Sequence, residues 1–136
     1  NPAQPLTVGD WNDNPKINDL LPTLVDILTF HDYSQPPGLE KHIARLKAFG
    51  RPIICTEWMC RGNGSVVADC LPIFKRENIG AMHWGLVNGK TQTNLNWGHL
   101  PGQPDPTRWQ HDLFHGDRTA YDPVEIELFK RALITR

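Results

Sequence analysis

The sequence predicts an α/β fold in which the strands of a parallel sheet alternate with helices. Four short apolar runs with strand character begin at residues 5, 26, 52 and 79, spaced 21 to 27 residues apart. That spacing accommodates one strand, one loop and one helix per unit. Segments with helical periodicity lie between the runs. Strands that alternate with helices in this way form parallel sheets with right-handed crossover connections.

The first two units differ in how clearly their helices are marked. In the first unit, the run at 5–9 precedes a short helical stretch at 16–24, which Pro22 interrupts. In the second, the run at 26–30 precedes a helix whose apolar residues recur every three or four positions, and Gly50 ends it. Those apolar residues are Leu39, Ile43, Leu46 and Phe49.

The third and fourth units differ in the length of the segment after the strand. The run at 52–58 is followed by a helix that we expect to open at Ser65 and to reach about residue 78. The run at 79–84 is separated from the last helix by a polar loop at 87–121, rich in Gly, Pro, Asn and Trp. A loop of that length in a compact domain is usually functional.

The last helix has the clearest start signal. Asp122 is the expected cap, Pro123 occupies the first turn, and Glu125 stands at the reciprocal capping position. The predicted apolar face of this helix consists of Ile126, Phe129, Ala132 and Leu133.

Length and composition indicate one globular domain, which we take to span residues 1–136. Hydrophobic residues make up 39% of the chain and charged residues 21%, and the net charge is −1. Such a balance provides no basic field for nucleic acid or for an anionic membrane surface. No run approaches the ~20 apolar residues of a membrane helix. We therefore expect neither a nucleic acid nor a membrane as partner.

The spacing of the cysteine, histidine and glycine residues indicates neither a metal site nor a cofactor. Cys55, Cys60 and Cys70 match no zinc pattern and are expected to be buried thiols, although a Cys60–Cys70 disulfide remains open. The six histidines lack paired ligand spacing. No glycine-rich phosphate loop follows any predicted strand, which disfavours a nucleotide-binding open sheet.

Side chains suited to chemistry follow each predicted strand. These groups are Asp10-Trp11-Asn12, His31-Asp32-Tyr33, Glu57-Trp58, and Trp84 followed by Asn88, Lys90 and Gln92. The carboxyl ends of parallel strands meet at one edge of a sheet, so these groups should lie together. Period-two alternation predicts that Glu57 shares a face with Cys55, and that His31 and Tyr33 share one with Thr29. Each residue also has a structural interpretation, since a lone His after a strand is often only hydrogen-bonded and a loop Lys is usually solvated.

Three of these segments resemble the glycoside hydrolases built on the (β/α)8 barrel, especially the family 5 cellulases and the related 1,4-β-xylanase-like proteins. They are residues 56–58 (Thr-Glu-Trp) at a strand end, residues 31–33 (His-Asp-Tyr) one unit earlier, and Trp84 with the loop at 89–94 after it. The resemblance extends over most of the chain. It implies that the four strands correspond to the fifth to eighth of a barrel, which makes the domain the (β/α)4 half of a TIM barrel. It also implies an extracellular or periplasmic location.

The resemblance implies retaining hydrolysis of a β-1,4-linked polysaccharide, with Glu57 as nucleophile and with His31 and Tyr33 as hydrogen-bonding partners of the nucleophile or the sugar. The nucleophile must be ionised, and hydrogen bonds from those partners favour that form. No metal or cofactor is implied. The substrate-binding residues expected from the resemblance and the strand-end pattern are Trp11, Asn12, Trp58, Trp84, Lys90 and Gln92.

The acid/base of these enzymes is a Glu that follows an Asn at the end of the fourth barrel strand. No Asn-Glu pair occurs in this sequence, and the chain begins after the position where the pair is expected. An amino-terminal half-barrel or a twofold homodimer would complete eight strands. The alternative is an inactive half-barrel that homodimerises and at most binds sugars through Trp11, Trp58, Trp84 and Trp97.

Overall fold

The computed structural model describes residues 3–11 and 14–134, the last of these without its side chain. Its elements in chain order are β1 (Gly9–Asp10), α1 (Pro15–Leu24), β2 (Leu28–Asp32), α2 (Pro36–Lys47), β3 (Ile53–Trp58), a 3-10 turn (Arg61–Asn63), α3 (Val67–Arg76), β4 (Gly80–Ala81) and α4 (Pro123–Ile134). The strands form one parallel sheet in the order β1-β2-β3-β4. The predicted α/β class and the alternation of strands with helices are confirmed.

The helix ends agree with the predicted start signals in part. Asp122 caps α4 as predicted, because its Oδ1 accepts a hydrogen bond of 2.8 Å from the Val124 N–H. The prediction for α3 is wrong by a residue: Val66 precedes the helix, and the Ser65 hydroxyl lies against the Cys70 thiol instead. The prediction that Leu133 lies on the buried face of α4 is also wrong, since that side chain is largely exposed.

The sheet carries the hydrophobic core on one side only. The side that packs on α2, α3 and α4 contributes Leu28, Phe30, Cys55 and Trp58 to the core. Strand register places another set of residues on the opposite side, which we call the second face; it consists of Gly9, Thr29, Ile54 and Gly80. None of these four belongs to the core cluster. Among the described residues, the second face thus has no apolar layer like the one that covers the first.

An additional residue in β3 sets the direction of Glu57. Phe30 lies opposite Cys55, and His31 lies opposite Glu57, so Thr56 has no partner in β2. A bulge of this kind reverses the alternation beyond it. Cys55 and Trp58 both enter the core, while Glu57 lies on the second face with His31. The prediction that Glu57 shares a face with Cys55 is therefore wrong, because it assumed an unbroken period of two.

The long loop between β4 and α4 is anchored by the buried side chain of Arg61. Its guanidinium donates to both carboxylate oxygens of Glu125 in α4, at 2.9 and 2.5 Å. It also donates to the carbonyl oxygens of Trp109 and Asp112, at 3.3 and 3.1 Å, and lies 4.5 Å from the centre of the Tyr121 ring. Glu125 therefore does not act in the predicted capping position, because its carboxylate neutralises a buried cation.

Candidate functional site

A cleft of about 830 Å³ opens at the carboxyl ends of the strands. Each strand delivers residues to it because the chain turns there from strand to loop. Its walls include Trp11, His31, Tyr33, Glu57, Trp84 and Trp97. Five of these were predicted as site residues, and Trp97 comes from the long loop. The structure therefore brings most of the predicted strand-end chemistry into one place.

The Glu57 carboxylate is contacted by two side chains from the end of β2. The Tyr33 hydroxyl donates to Glu57 Oε2 at 2.8 Å, and the Nδ1 atom of His31 lies 3.1 Å from the same oxygen. Neither contact uses Oε1. Among the described residues the carboxylate is therefore oriented through one oxygen, which leaves Oε1 for chemistry.

Tyr33 is fixed in its protonated form. Burial raises the pKa of its phenol well above the ordinary value, and the hydrogen bond to Glu57 and the charge of that carboxylate raise it further. The hydroxyl therefore keeps its proton across the range in which proteins work. It acts as a permanent donor to Glu57 rather than as a base.

Three indoles surround this carboxylate and remain open to solvent. Trp11 is 69% exposed and stacks near the His31 ring, with centroids 6.4 Å apart. Trp97 is 60% exposed and meets the Tyr33 ring edge to face at 5.2 Å, while Trp84 is 43% exposed. Large apolar surfaces of this kind, gathered at a polar cleft, are characteristic of binding sites. Flat indole faces suit ligands that present C–H surfaces between hydroxyl groups.

The other carboxylates of the cleft are held on the core side of the sheet. Arg45 contacts Asp10 and also donates to the Nε2 atom of His42 at 3.0 Å. The proton of His42 is therefore on Nδ1, which donates to Asp32 Oδ2 at 2.9 Å. Burial raises the pKa of Asp32, but the hydrogen bonds from His42 and Ser34 outweigh it and leave that pKa below its ordinary value. Both carboxylates are thus bound within a network, away from Glu57.

Three predicted substrate-binding residues do not line this cleft, and a fourth lies outside the described residues. Trp58 is fully buried and packs on Phe74 with ring centroids 5.0 Å apart, so its burial contradicts the prediction that it contacts a sugar. The bulge in β3 turns it into the core. Lys90 and Gln92 are exposed in the long loop and are not among the residues that line the cleft. Asn12 lies outside the described residues.

Sequence reasoning missed two groups of residues that shape the site. His42 and Arg45 lie one turn apart on α2, and Arg45 contacts Asp10. Their three-residue spacing, which places both on one face of the helix, was the signal that could have identified them. His111 lies in the long loop, where no periodicity indicates its direction. It is only 1% exposed, its Nδ1 lies 2.6 Å from the carbonyl oxygen of Met59, and its ring contacts those of Tyr33 and Trp97.

The described residues were also compared with the requirements of a metal site, a disulfide and a membrane-spanning helix. No group of three or more His, Cys, Asp or Glu side chains within residues 3–11 and 14–134 is arranged to hold a metal ion. The thiols of Cys55, Cys60 and Cys70 are buried and unpaired with one another. No helix in the described part of the chain combines the length and apolar character needed to cross a membrane.

Comparisons with known proteins assign no family. No family model matches the chain, and the search of curated proteins finds none that is significantly similar in sequence.

Proposed function

We propose that this chain is the (β/α)4 half of a TIM barrel of the glycoside hydrolase type, with Glu57 as its nucleophile. The observation that carries the proposal is a strand-end carboxylate held through Oε2 by Tyr33 and His31 within a cleft of exposed indoles. The resemblance to family 5 cellulases and 1,4-β-xylanase-like proteins supports a β-1,4-linked polysaccharide as the substrate class. Trp84 and Trp11 are then the aromatic contacts of the sugar.

The proposed reaction is a two-step displacement with retention. Oε1 of Glu57 attacks the anomeric carbon, the bond to the leaving oxygen breaks, and a glycosyl ester forms; water then attacks the same carbon and releases the carboxylate. Tyr33 and His31 hold Oε2, which orients the attacking oxygen. The leaving oxygen requires a proton from a second carboxyl group about 5–5.5 Å from the nucleophile.

A second half-barrel would provide that acid. Within the described residues, Asp10 and Asp32 lie on the core side of the sheet and are bound to Arg45 and His42. We assign the acid to an amino-terminal half that also covers the second face. A second copy of this chain could cover that face as well, but it would bring only the carboxylates that this chain already has. β1 and β4 are the edge strands of the sheet, and the outer side of each pairs with no strand among the described residues. These open edges and the exposed Met82 beyond β4 support such closure.

Light scattering tests the second-copy form of this closure. The chain has a mass of 15.5 kDa, so a symmetric dimer predicts about 31 kDa in solution. A folded monomer at micromolar concentration would contradict closure by a second copy and leave an amino-terminal half as the partner.

Activated substrates test the chemistry without depending on the acid. A 2,4-dinitrophenyl β-cellobioside or β-xylobioside has a leaving group that departs without protonation, so the first step needs only the nucleophile. We expect release of dinitrophenolate by the wild-type chain, with azide added to accept the glycosyl group, and at least a ~10³-fold loss in Glu57→Gln. Glu127→Gln is the matched control, since Glu127 is exposed on α4 and contacts Lys130 there. Equal rates in all three proteins would contradict the assignment of Glu57.

A non-catalytic sugar-binding module is the second candidate. The position of Asp10 and Asp32 on the core side favours it, because Glu57 then has no carboxylate partner on its own face among the described residues. Titration with xylo- and cello-oligosaccharides, followed by tryptophan fluorescence, tests this candidate. Binding that Trp84→Ala weakens and Glu57→Gln preserves, without turnover of the activated substrates, would support it; no binding at millimolar ligand would count against it.

A further inference from the structure

A single buried imidazole contacts both the Tyr33 ring and the backbone two residues beyond Glu57. The ring of His111 lies 5.5 Å from that of Tyr33, centroid to centroid. Its Nδ1 lies 2.6 Å from the carbonyl oxygen of Met59, two residues beyond Glu57 in the same chain segment. His111 therefore contacts Tyr33, the donor, and the chain segment that carries Glu57, the acceptor. It is not among the residues that line the cleft.

The chemistry of this contact defines the form of the imidazole. A carbonyl oxygen can only accept, so Nδ1 carries the proton and donates to Met59. Burial lowers the pKa of His111 more than its hydrogen bond to Met59 raises it, and the neighbouring charges are those of Asp112, Arg61 and Glu57. The ring is thus neutral. Its Nε2, buried and without a hydrogen-bond partner among the described residues, plays no part in holding it.

Met59 requires such a contact because its backbone is strained. Its φ angle is 75°, in the left-handed region, and its side chain is fully buried. A bulky residue in that region loses on the order of 1 kcal/mol or more and stays there only when its surroundings hold it. The hydrogen bond from His111 is one restraint, and the 2.9 Å bond from the Trp84 N–H to the Trp58 carbonyl is another. Together they set where the chain leaves β3, and so where Glu57 points.

His111 also restrains the position of the Tyr33 ring. His111 and Trp97 both contact its ring, at 5.5 and 5.2 Å, and contact each other at 5.5 Å. Gly85 supports His111 in turn, since a Cβ at that position would lie 2.8 Å from the His111 Cβ. Packing on the ring leaves the hydroxyl aimed at Glu57.

We propose that His111 is a positioning residue, which aligns the Tyr33 hydroxyl with the Glu57 carboxylate by holding the Tyr33 ring and the Met59 carbonyl at once. Its effect on catalysis rests on the proposed function of Glu57, whereas the alignment itself does not. The proposal predicts that the hydrogen bond of Nδ1, and not ring volume alone, determines the strength of the Tyr33–Glu57 contact.

Two substitutions separate these contributions. His111→Asn places an amide N–H near the position of Nδ1 and should preserve the bond to Met59. His111→Phe keeps an aromatic ring and removes the donor, which leaves a buried carbonyl oxygen unpaired. Gly85→Ala displaces His111 without altering it and replaces His111→Phe if that variant does not fold.

The first readout needs no activity. In protein labelled with ¹³C at the tyrosine Cζ, the signal of Tyr33, identified by its loss in Tyr33→Phe, reports the hydrogen bond of its hydroxyl. Glu57→Gln gives the position expected when the charged acceptor is gone. We expect the Tyr33 signal of His111→Asn to lie closer to wild type than that of His111→Phe, which should move toward Glu57→Gln. A Tyr33 signal that is unchanged in His111→Phe, or in Gly85→Ala if it stands in, would overturn the proposal.

The second readout is the rate of dinitrophenyl glycoside turnover. We expect kcat/KM to fall about tenfold in His111→Phe, because the carboxylate loses part of its donor, and to fall less in His111→Asn, which keeps the bond to Met59. An equal loss of rate in both variants would indicate a purely structural role and would contradict the proposal. If the wild type shows no turnover, the proposed function fails, and the Tyr33 signal still decides the alignment.

Discussion

The strongest stability prediction concerns the buried pair of Arg61 and Glu125. The perturbation is Arg61→Met, which keeps an unbranched side chain close to the length of the arginine stem and removes the guanidinium with its charge. Two hydrogen bonds to Glu125 and two to the carbonyl oxygens of Trp109 and Asp112 disappear, together with the contact on the Tyr121 ring. The carboxylate of Glu125 then stays buried without its cation.

The expected loss follows from that unpaired charge. Removing one partner of a buried ion pair costs about 3–5 kcal/mol, whereas an exposed pair contributes about 0–1 kcal/mol. Arg61 and Glu125 are 5% and 11% exposed at their side chains, which places them in the first class. The exposed pair of Lys130 and Glu127, also in α4, provides the matched control. For a domain of this size the predicted loss corresponds to roughly 10–15 °C in Tm.

Chemical and thermal unfolding measure this difference directly. We expect Arg61→Met to lose at least ~3 kcal/mol, Lys130→Met to lose less than ~1 kcal/mol, and the double variant Arg61→Met with Glu125→Leu to recover much of the loss. The reasoning is refuted if Arg61→Met unfolds within ~1 kcal/mol of wild type. It is also refuted if the double variant is less stable than Arg61→Met.

Three further predictions address the site and its support. Tyr33→Phe should lower kcat/KM for dinitrophenyl glycosides by about 10–100-fold, because the Glu57 carboxylate loses a donor at 2.8 Å; an unchanged rate contradicts this. Gly85→Ala should lose about 2–3 kcal/mol in urea unfolding, since its φ is +81° and a Cβ would lie 2.8 Å from His111. The control Gly98→Ala has φ +85° but no neighbour within 4 Å, so it should lose only about 1 kcal/mol. The pKa of Asp32 is lowered from 3.8 by its hydrogen bonds from His42 and Ser34, despite burial, so its contribution to stability is present above that value and is lost as pH falls below it. Unfolding measured between pH 6 and pH 3 should therefore show a steeper loss for wild type than for Asp32→Asn, and parallel curves would contradict it.

The alternation of strands and helices was predictable from local pattern. Each helix carries apolar residues at three- and four-residue spacing or an explicit cap, and each strand begins within one of the short apolar runs. The meeting of His31, Tyr33 and Glu57 followed from one rule, that parallel strands end at the same edge. Those features are local or depend only on strand direction, so a single sequence contains them.

The features that were not predictable depend on tertiary contacts. The bulge at Thr56 turns Trp58 into the core, and nothing in the run at 53–58 distinguishes that register from an unbroken strand. Glu125 has the spacing of a capping residue, yet a buried Arg61 from 64 positions earlier takes its carboxylate. His111 reaches the site through a loop without periodicity, and its direction is set by long-range contacts alone.

Covalent trapping would show whether Glu57 is the nucleophile. A 2,4-dinitrophenyl 2-deoxy-2-fluoro-β-cellobioside or -xylobioside forms a glycosyl ester that breaks down slowly, because fluorine disfavours the charged transition state of both steps while the leaving group restores only the first. Intact mass and peptide mapping then identify the modified residue. The account predicts one fluoroglycosyl group per chain, on Glu57, and none on Glu57→Gln. An unmodified wild-type chain, or a label on another carboxylate, would contradict the assignment of Glu57 as nucleophile.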